Sequence, residues 1–340
     1  MKWSLLFLSV IALKTCGAGN DKPQLKIKPN ANTFVAGDTL SARLRGAKQI
    51  VPDAVQYYLD DQPITLPHVF GNERLGDHQL KAVVTNGEQQ QEALSSVRLL
   101  KSTPPALWTY TVINAYPHDP TAYTQGLEFD GEILYESTGL NGQSTLRKVH
   151  VETGEVLQQI PLDQQYFGEG LTLLNNEVFQ LTWQENTAFV YDPETLGLKR
   201  SFRYDQSKEG WGLCNDGKTL YKSDGTAKIW RLDPATGQEL DYIEATTHKT
   251  ILTKINELEW VDGKIYANTY QFQKEVIVVI DPKSGAVERV IDFKGLKAQV
   301  DQIPSLNVLN GIAYHPQRNT FFVTGKNWSK LFEVTLQPKK

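Results

Sequence analysis

The chain has 340 residues, enough for two domains with a substantial core, and its 40% hydrophobic and 22% charged residues are ordinary for a soluble globular protein. Thirty-five Lys and Arg against 39 Asp and Glu give a net charge of -4, which argues against nucleic acid as a partner, since phosphate binding needs a basic face. Seven Trp, 10% aromatics, and Val-, Tyr- and Phe-rich runs broken by Gly and Asp-Gly pairs point to β structure.

The chain opens as an export signal. Met1-Lys2 supplies the positive start, and Trp3 to Leu13 is an apolar run too short to span a membrane as a mature helix. Leu13-Lys14-Thr15-Cys16-Gly17 follows and is similar to a bacterial lipobox, with Lys14 departing from the strict pattern. Residues 1–16 are thus expected to be a signal with Cys16 lipidated, and ordinary signal cleavage is the alternative. The membrane is then reached only through that N-terminal anchor, in an exported, membrane-bound or periplasmic bacterial protein. Loss of the leader leaves Cys214 alone, so no intramolecular disulfide can form. Following Gly212-Leu213 in a strand pattern, Cys214 reads as a small buried hydrophobe.

Residues 22–101 read as short alternating strands at Leu25–Lys28, Thr39–Leu44, Val55–Leu59, Gln79–Thr85 and Ala93–Leu100, with turns at Asp60-Asp61 and Asn86-Gly87. So few residues in so many strands suggest a small Ig-like β-sandwich, a spacer or docking module without a catalytic constellation. Ser102-Thr103-Pro104-Pro105 is the linker.

From 106 to 340 the chain repeats. Copies open at Gln125-Gly126-Leu127, Glu169-Gly170-Leu171, Trp211-Gly212-Leu213, Asn256-Glu257-Leu258 and Asn310-Gly311-Ile312. Matching turns stand at Val151-Glu152-Thr153-Gly154, Asp192-Pro193-Glu194-Thr195, Asp233-Pro234-Ala235-Thr236-Gly237 and Asp281-Pro282-Lys283-Ser284-Gly285. The starts lie roughly 42 to 54 residues apart, the length of one four-stranded propeller blade. Lys294 to Val308 reads as a loop insertion over one face. The expected fold is therefore all-β: a five-bladed β-propeller preceded by the small sandwich. The fifth copy is one strand short, and Leu107 to Asn114 is the candidate to complete it, which removes exposed sheet edges. Innermost strands line a propeller's channel, so the five opening residues converge on one mouth.

Several of these motifs, in order and at matched spacing, resemble the plant and bacterial glutaminyl cyclases, or glutamine cyclotransferases. The segments are Tyr116-Pro117-His118-Asp119, Tyr123-Thr124-Gln125-Gly126-Leu127, Tyr135-Glu136-Ser137-Thr138-Gly139, Phe167-Gly168-Glu169-Gly170, Leu181-Thr182-Trp183 and Thr324-Gly325-Lys326-Asn327-Trp328. The resemblance implies a five-bladed propeller that cyclises the N-terminal Gln of a peptide or protein to pyroglutamate, releasing ammonia, with no metal and no cofactor. It also implies the site. Glu169 matches the general acid/base, while Asn256 and Lys326 match donors that polarise the side-chain amide or its oxyanion. Gln125 matches a substrate-binding residue of the channel, and Phe167, Trp183 and Trp211 match an aromatic wall. Tyr270 stands where the family usually has Trp, and Tyr123 where it usually has Phe. His118 belongs to the closing segment and reads as structural, and Asn310 as channel lining.

Two other classes stay open on residue type alone. Glu169, Asn256 and Asn310 are oxygen donors of the kind that ligate calcium in lactonase propellers. Those enzymes, however, have six blades and a further channel Asp. A binding propeller without catalysis leaves Phe167, Trp183 and Lys326 unexplained.

Overall fold

A computed structural model describes residues 25–46 and 54–339. The leader and Cys16 lie outside the described residues. The regular structure among the described residues is almost wholly strand, with a short 3-10 turn at Lys297–Gln299.

In the N-terminal unit a five-stranded sheet runs in the order Thr33–Val35, Gln89–Leu100, Gly76–Asn86, Val55–Leu59, Gln62–Ile64. Two small pairs, Lys26–Pro29 with Ala42–Arg45 and Thr39–Leu40 with His68–Val69, complete it. Alternation is the cause: Gly76–Asn86 buries every second residue, and Leu80, Ala82, Val97 and Leu99 meet Phe34, Leu40 and Phe70 in one core. The turn at Asp60-Asp61 has φ of 48° and 64° at both central residues, as a two-residue hairpin requires. Five strands are as expected. Thr33–Val35, Gln62–Ile64 and His68–Val69 are additional, too short for alternation to reveal, and Thr39 to Leu44 is split in two.

The rest folds into antiparallel four-stranded meanders. The first three are separate sheets beginning at Thr124, Gly168 and Leu213. The fourth, from Ile255, and the fifth, from Leu309, share one eight-stranded sheet. Ala106–Pro117 supplies the outer strand of the fifth meander, antiparallel to Lys330–Pro338, as the missing strand demanded. It does more than expected: Ala106 to Thr109 also pairs parallel to Arg289 to Asp292 of the fourth meander, joining the two. Third and fourth strands are linked by Asp-centred turns, in which Asp192, Asp233 and Asp281 each accept backbone and hydroxyl hydrogen bonds from the next residues.

Each inner strand touches the inner strands before and after it, and the fifth touches the first. In four of the five copies a glycine follows the opening residue and allows this approach. A Cβ on Gly126 would stand 2.6 Å from the Leu171 nitrogen, and one on Gly170 2.5 Å from the Leu213 nitrogen. The fourth copy has Glu257 there instead, and its buried carboxylate accepts the Ile312 N–H at 2.9 Å. A register shift spans the opening residue in the first, second, fourth and fifth inner strands, and such bulges re-aim the side chain at the strand end. The Lys294–Val308 insertion is a structural element as well as a cover: Leu296, Val300 and Val308 are buried, the first two packing in the cluster that holds Trp328.

The two units are joined by specific contacts. Arg74 Nη1 and the Asp77 N–H both donate to Glu244 Oε2 at 2.9 Å, and Leu75 N–H donates to Ser284 O at 2.8 Å. Gly76 has φ +116°, and a Cβ there would lie 2.3 Å from the same Glu244 carboxylate.

Candidate active site

At the mouth where the inner strands begin lies a pocket of about 160 Å³. Its walls are Tyr123, Gln125, Phe167, Glu169, Trp183, Trp211, Asn256, Tyr270 and Lys326. All eight pocket residues expected from the sequence are therefore together. Asn310 lies just behind, donating from Nδ2 to Thr124 O at 3.0 Å and Gln125 Oε1 at 3.2 Å.

Glu169 opens the second inner strand and is 5% exposed. Its Oε1 accepts from Gln125 Nε2 at 3.3 Å, while Oε2 is buried without a partner. Lys326, 3% exposed, donates from Nζ to Gln125 Oε1 at 2.6 Å. The Gln125 amide thus spans the carboxyl and the ammonium, one end on each. Asn256 Oδ1 is likewise buried without a partner. Buried polar atoms in folded proteins nearly always find partners, and two unpartnered ones on one pocket wall give it the capacity to hold a polar ligand.

Burial dominates the electrostatics. It pushes the Glu169 carboxyl well above the usual carboxylate range, with the Lys326 charge only partly offsetting it. It pulls the Lys326 ammonium down to about 8, against the attraction of Glu169. Burial thus favours the neutral form of each group, the property that lets a buried carboxyl or ammonium give up or take a proton during a reaction. The ammonium also lies 4.7 Å from the Tyr123 ring centre and 5.3 Å from that of Tyr270, faces that attract a cation. The phenols at these positions replace indole and phenyl without removing the wall.

The wall is interlocked edge to face: Phe167 with Trp183 at 5.6 Å, Tyr123 with Phe167 at 6.1 Å, Trp211 with Tyr270 at 5.8 Å. Each such pair contributes about 0.5–1.5 kcal/mol beyond its buried area. One residue of this layer escaped the sequence. Glu209 Oε2 accepts the indole N–H of both Trp183 and Trp211 at 2.8 Å, fixing two walls with one carboxylate. It sits between strands, outside the repeat, and only the neighbouring Gly210-Trp211 hinted at it.

His118 is structural, as expected. Buried, it contacts Trp328 O at 2.7 Å and Glu136 Oε1 at 3.0 Å, and Glu136 also accepts from Thr124 Oγ1 at 2.7 Å. This network holds the Lys326–Trp328 segment against the start of the first inner strand. Cys214 is buried, and burial raises its thiol well above the usual range, which suits packing rather than nucleophilic attack. Among the described residues, no three His, Cys, Asp or Glu are grouped to hold a metal ion.

Comparison with known proteins agrees with this geometry. The profile of the glutamine cyclotransferase family matches residues 80–336. Over 229 residues, 66% of this chain and 71% of the relative, it is 40% identical to a glutaminyl-peptide cyclotransferase of Arabidopsis thaliana. The crystal structure of Myxococcus xanthus glutaminyl cyclase superposes with a TM-score of 0.64 at 34% identity, covering 69% of this chain and all of the other. With the family profile spanning most of the chain and four of the five opening residues gathered in one aromatic pocket, the chain belongs to the glutamine cyclotransferase family.

Proposed function

We propose that this pocket cyclises the N-terminal glutamine of peptides and proteins, with Glu169 as general acid/base and Lys326 and Asn256 polarising the side-chain amide. The observation that carries the reading is the pair of open buried acceptors, Glu169 Oε2 and Asn256 Oδ1, in a cavity of about 160 Å³. A folded-back glutaminyl terminus brings N–H donors to both, from its α-amine and from its carboxamide.

The reaction needs little beyond placement. The neutral α-amine attacks its own Cδ, forming the ring C–N bond, and the carbonyl π electrons move to oxygen. Proximity already makes this step intramolecular, so the wall's task is to hold the folded conformer. Glu169 takes a proton from the attacking amine and hands it to the departing nitrogen. Ammonia leaves as the C–N bond of the amide breaks, and the five-membered lactam remains. Lys326 stabilises the transient oxyanion in a low-dielectric setting where its charge counts for more than in water. Gln125, already bonded to both groups, aligns them and is close enough to bind the substrate backbone. Phe167, Trp183, Trp211, Tyr123 and Tyr270 keep water from hydrolysing the amide.

The wider organisation completes the proposal. The five meanders, closed inner strand to inner strand, are read as five propeller blades spanning 106–340, and 22–101 as an Ig-like sandwich. Cys16 is read as the lipid attachment point of an exported protein. Replacing Cys16 by Ser should move the mature protein from the detergent phase to the aqueous phase, and an unchanged partition would remove the anchor. The test of function is ammonia release from Gln-Ala or Gln-tert-butyl ester, with and without EDTA. Equal rates are expected, and a rate abolished by chelation would favour the calcium-dependent alternative.

A further inference from the structure

We infer that the groove between the N-terminal unit and the third meander binds the polypeptide that follows the substrate's N-terminal glutamine, so that the N-terminal unit takes part in substrate recognition. The inference rests on the cyclase reading above for the identity of the first residue, and on the groove itself for the rest.

The argument begins with space. The catalytic pocket holds about 160 Å³, below the ~300–1,000 Å³ of sites that enclose drug-sized ligands, so it has room for one residue. A peptide or protein bound by its first residue must leave through the mouth. A cavity of about 730 Å³ starts at that mouth, and Trp211 lines both spaces. Glu209, which fixes the Trp183 and Trp211 indoles in the catalytic wall, lines the larger cavity as well. Gly225 forms part of its floor, where a Cβ would stand 2.5 Å from the Trp211 ring. The two cavities therefore adjoin at one rigid indole, which walls both.

The far wall belongs to the other unit. Asp77 and Arg98, joined by hydrogen bonds of 2.6 and 2.9 Å, face Lys208, Thr226 and Thr253 across the groove. The wall is held in place by Arg74 on Glu244 and by Lys101 N–H on Thr247 O at 3.2 Å. The groove thus mixes donors and acceptors along its length around a few apolar surfaces, Ile251 and Trp230 among them. That pattern suits an extended main chain, whose amides alternate donor and acceptor, better than a uniformly charged or apolar ligand. The Myxococcus enzyme is covered whole by 69% of this chain, and the share left over is about the size of the N-terminal unit with its leader.

The test compares substrate lengths on the full-length protein. Wild type, Thr253→Trp, which fills the groove, and Arg98→Ala, which strips its far wall, are assayed on Gln-Ala and on a Gln-initiated octapeptide. Wild type should show kcat/KM about tenfold higher on the octapeptide, and each variant should erase that advantage while Gln-Ala stays within about twofold. In parallel, calorimetry follows binding of the pyroglutamyl octapeptide and of pyroglutamyl-alanine, which needs no turnover. The longer product should bind about tenfold more tightly to wild type only. Equal constants for both lengths in wild type, or variants that lower both substrates alike, overturn the groove assignment. Absence of any turnover on Gln-Ala would instead overturn the cyclase reading, leaving the product titration to decide the groove.

Discussion

The molecule buries two lysine–glutamate pairs at neighbouring places, and they are finished differently. Lys222 and Glu239 lie 3.2 Å apart with both side chains fully buried. Every remaining valence is met: Glu239 accepts from Ser207 Oγ and from the Gln206 and Ser207 N–H groups, and Lys222 donates to Ser207 Oγ and to Glu209 O. Burial works against the Glu239 charge, yet Lys222 and these donors hold its carboxyl below the ordinary range. Lys326 and Glu169 are as deeply buried but are bridged by a single Gln125 amide, and Glu169 Oε2 is left open. Burial alone does not distinguish a working carboxylate. An unmet oxygen on the wall of a cavity does, because an arriving donor can satisfy it there, whereas the unmet Glu257 Oε1 lines neither of the cavities described above.

The strongest break in this comparison is Glu169→Gln. It keeps the shape and relieves a buried carboxyl, so kcat should fall by about 10³-fold or more while the unfolding midpoint in urea holds or rises. A near-wild-type rate would remove Glu169 from the chemistry. Lys222→Met should do the reverse. Stripping one partner from a finished buried pair costs about 3–5 kcal/mol, so the urea midpoint should drop markedly. An unmoved midpoint would mean that the pair is idle.

The pH dependence sharpens the contrast. Glu239, depressed in the fold, contributes stability present above its unfolded pKa of about 4.3 and lost as pH falls through its folded value. Stability should therefore fall at acid pH, and less so in Glu239→Gln. Activity should follow the other pair. It should rise as the substrate amine, with a pKa near ~8, loses its proton, and fall above about 8 as Lys326 loses its own. A profile still climbing at pH 10 would deny Lys326 a cationic role. The smallest effect is expected of Glu209→Gln. It loosens the shared anchor of Trp183 and Trp211, raising KM about three- to tenfold with kcat nearly kept. A kcat loss matching Glu169→Gln would make Glu209 a participant in the reaction.

How much of this was legible beforehand follows a physical rule. The meanders solve the same local problem: an inner strand pressed against its neighbours, a polar or indole side chain at the mouth and, in the second, third and fourth, an Asp-centred turn. The same residues recur at the same spacing, which made Gln125, Glu169, Trp211, Asn256 and Asn310 readable as one column. Phe167, Trp183, Tyr270 and Lys326 were found because their motifs resemble those of a family. Glu209 carried no such signal, since it acts from a connecting segment on two indoles brought to it by different strands. Thr33–Val35, Gln62–Ile64 and His68–Val69 were missed because two or three residues cannot display a period.

Local pattern by itself therefore determined the all-β class, the repeat and the identity of the mouth residues, because hydrophobic period and turn chemistry act within a few residues. Tertiary structure alone decided that Gln125 lies between Lys326 and Glu169, partners 201 and 44 positions away. It also decided that Ala106–Pro117 joins two meanders, and that Glu244 receives Arg74 across the unit boundary. Such contacts depend on where the chain closes, and a carboxylate's partner, unlike a strand's period, leaves no trace in its neighbours along the chain.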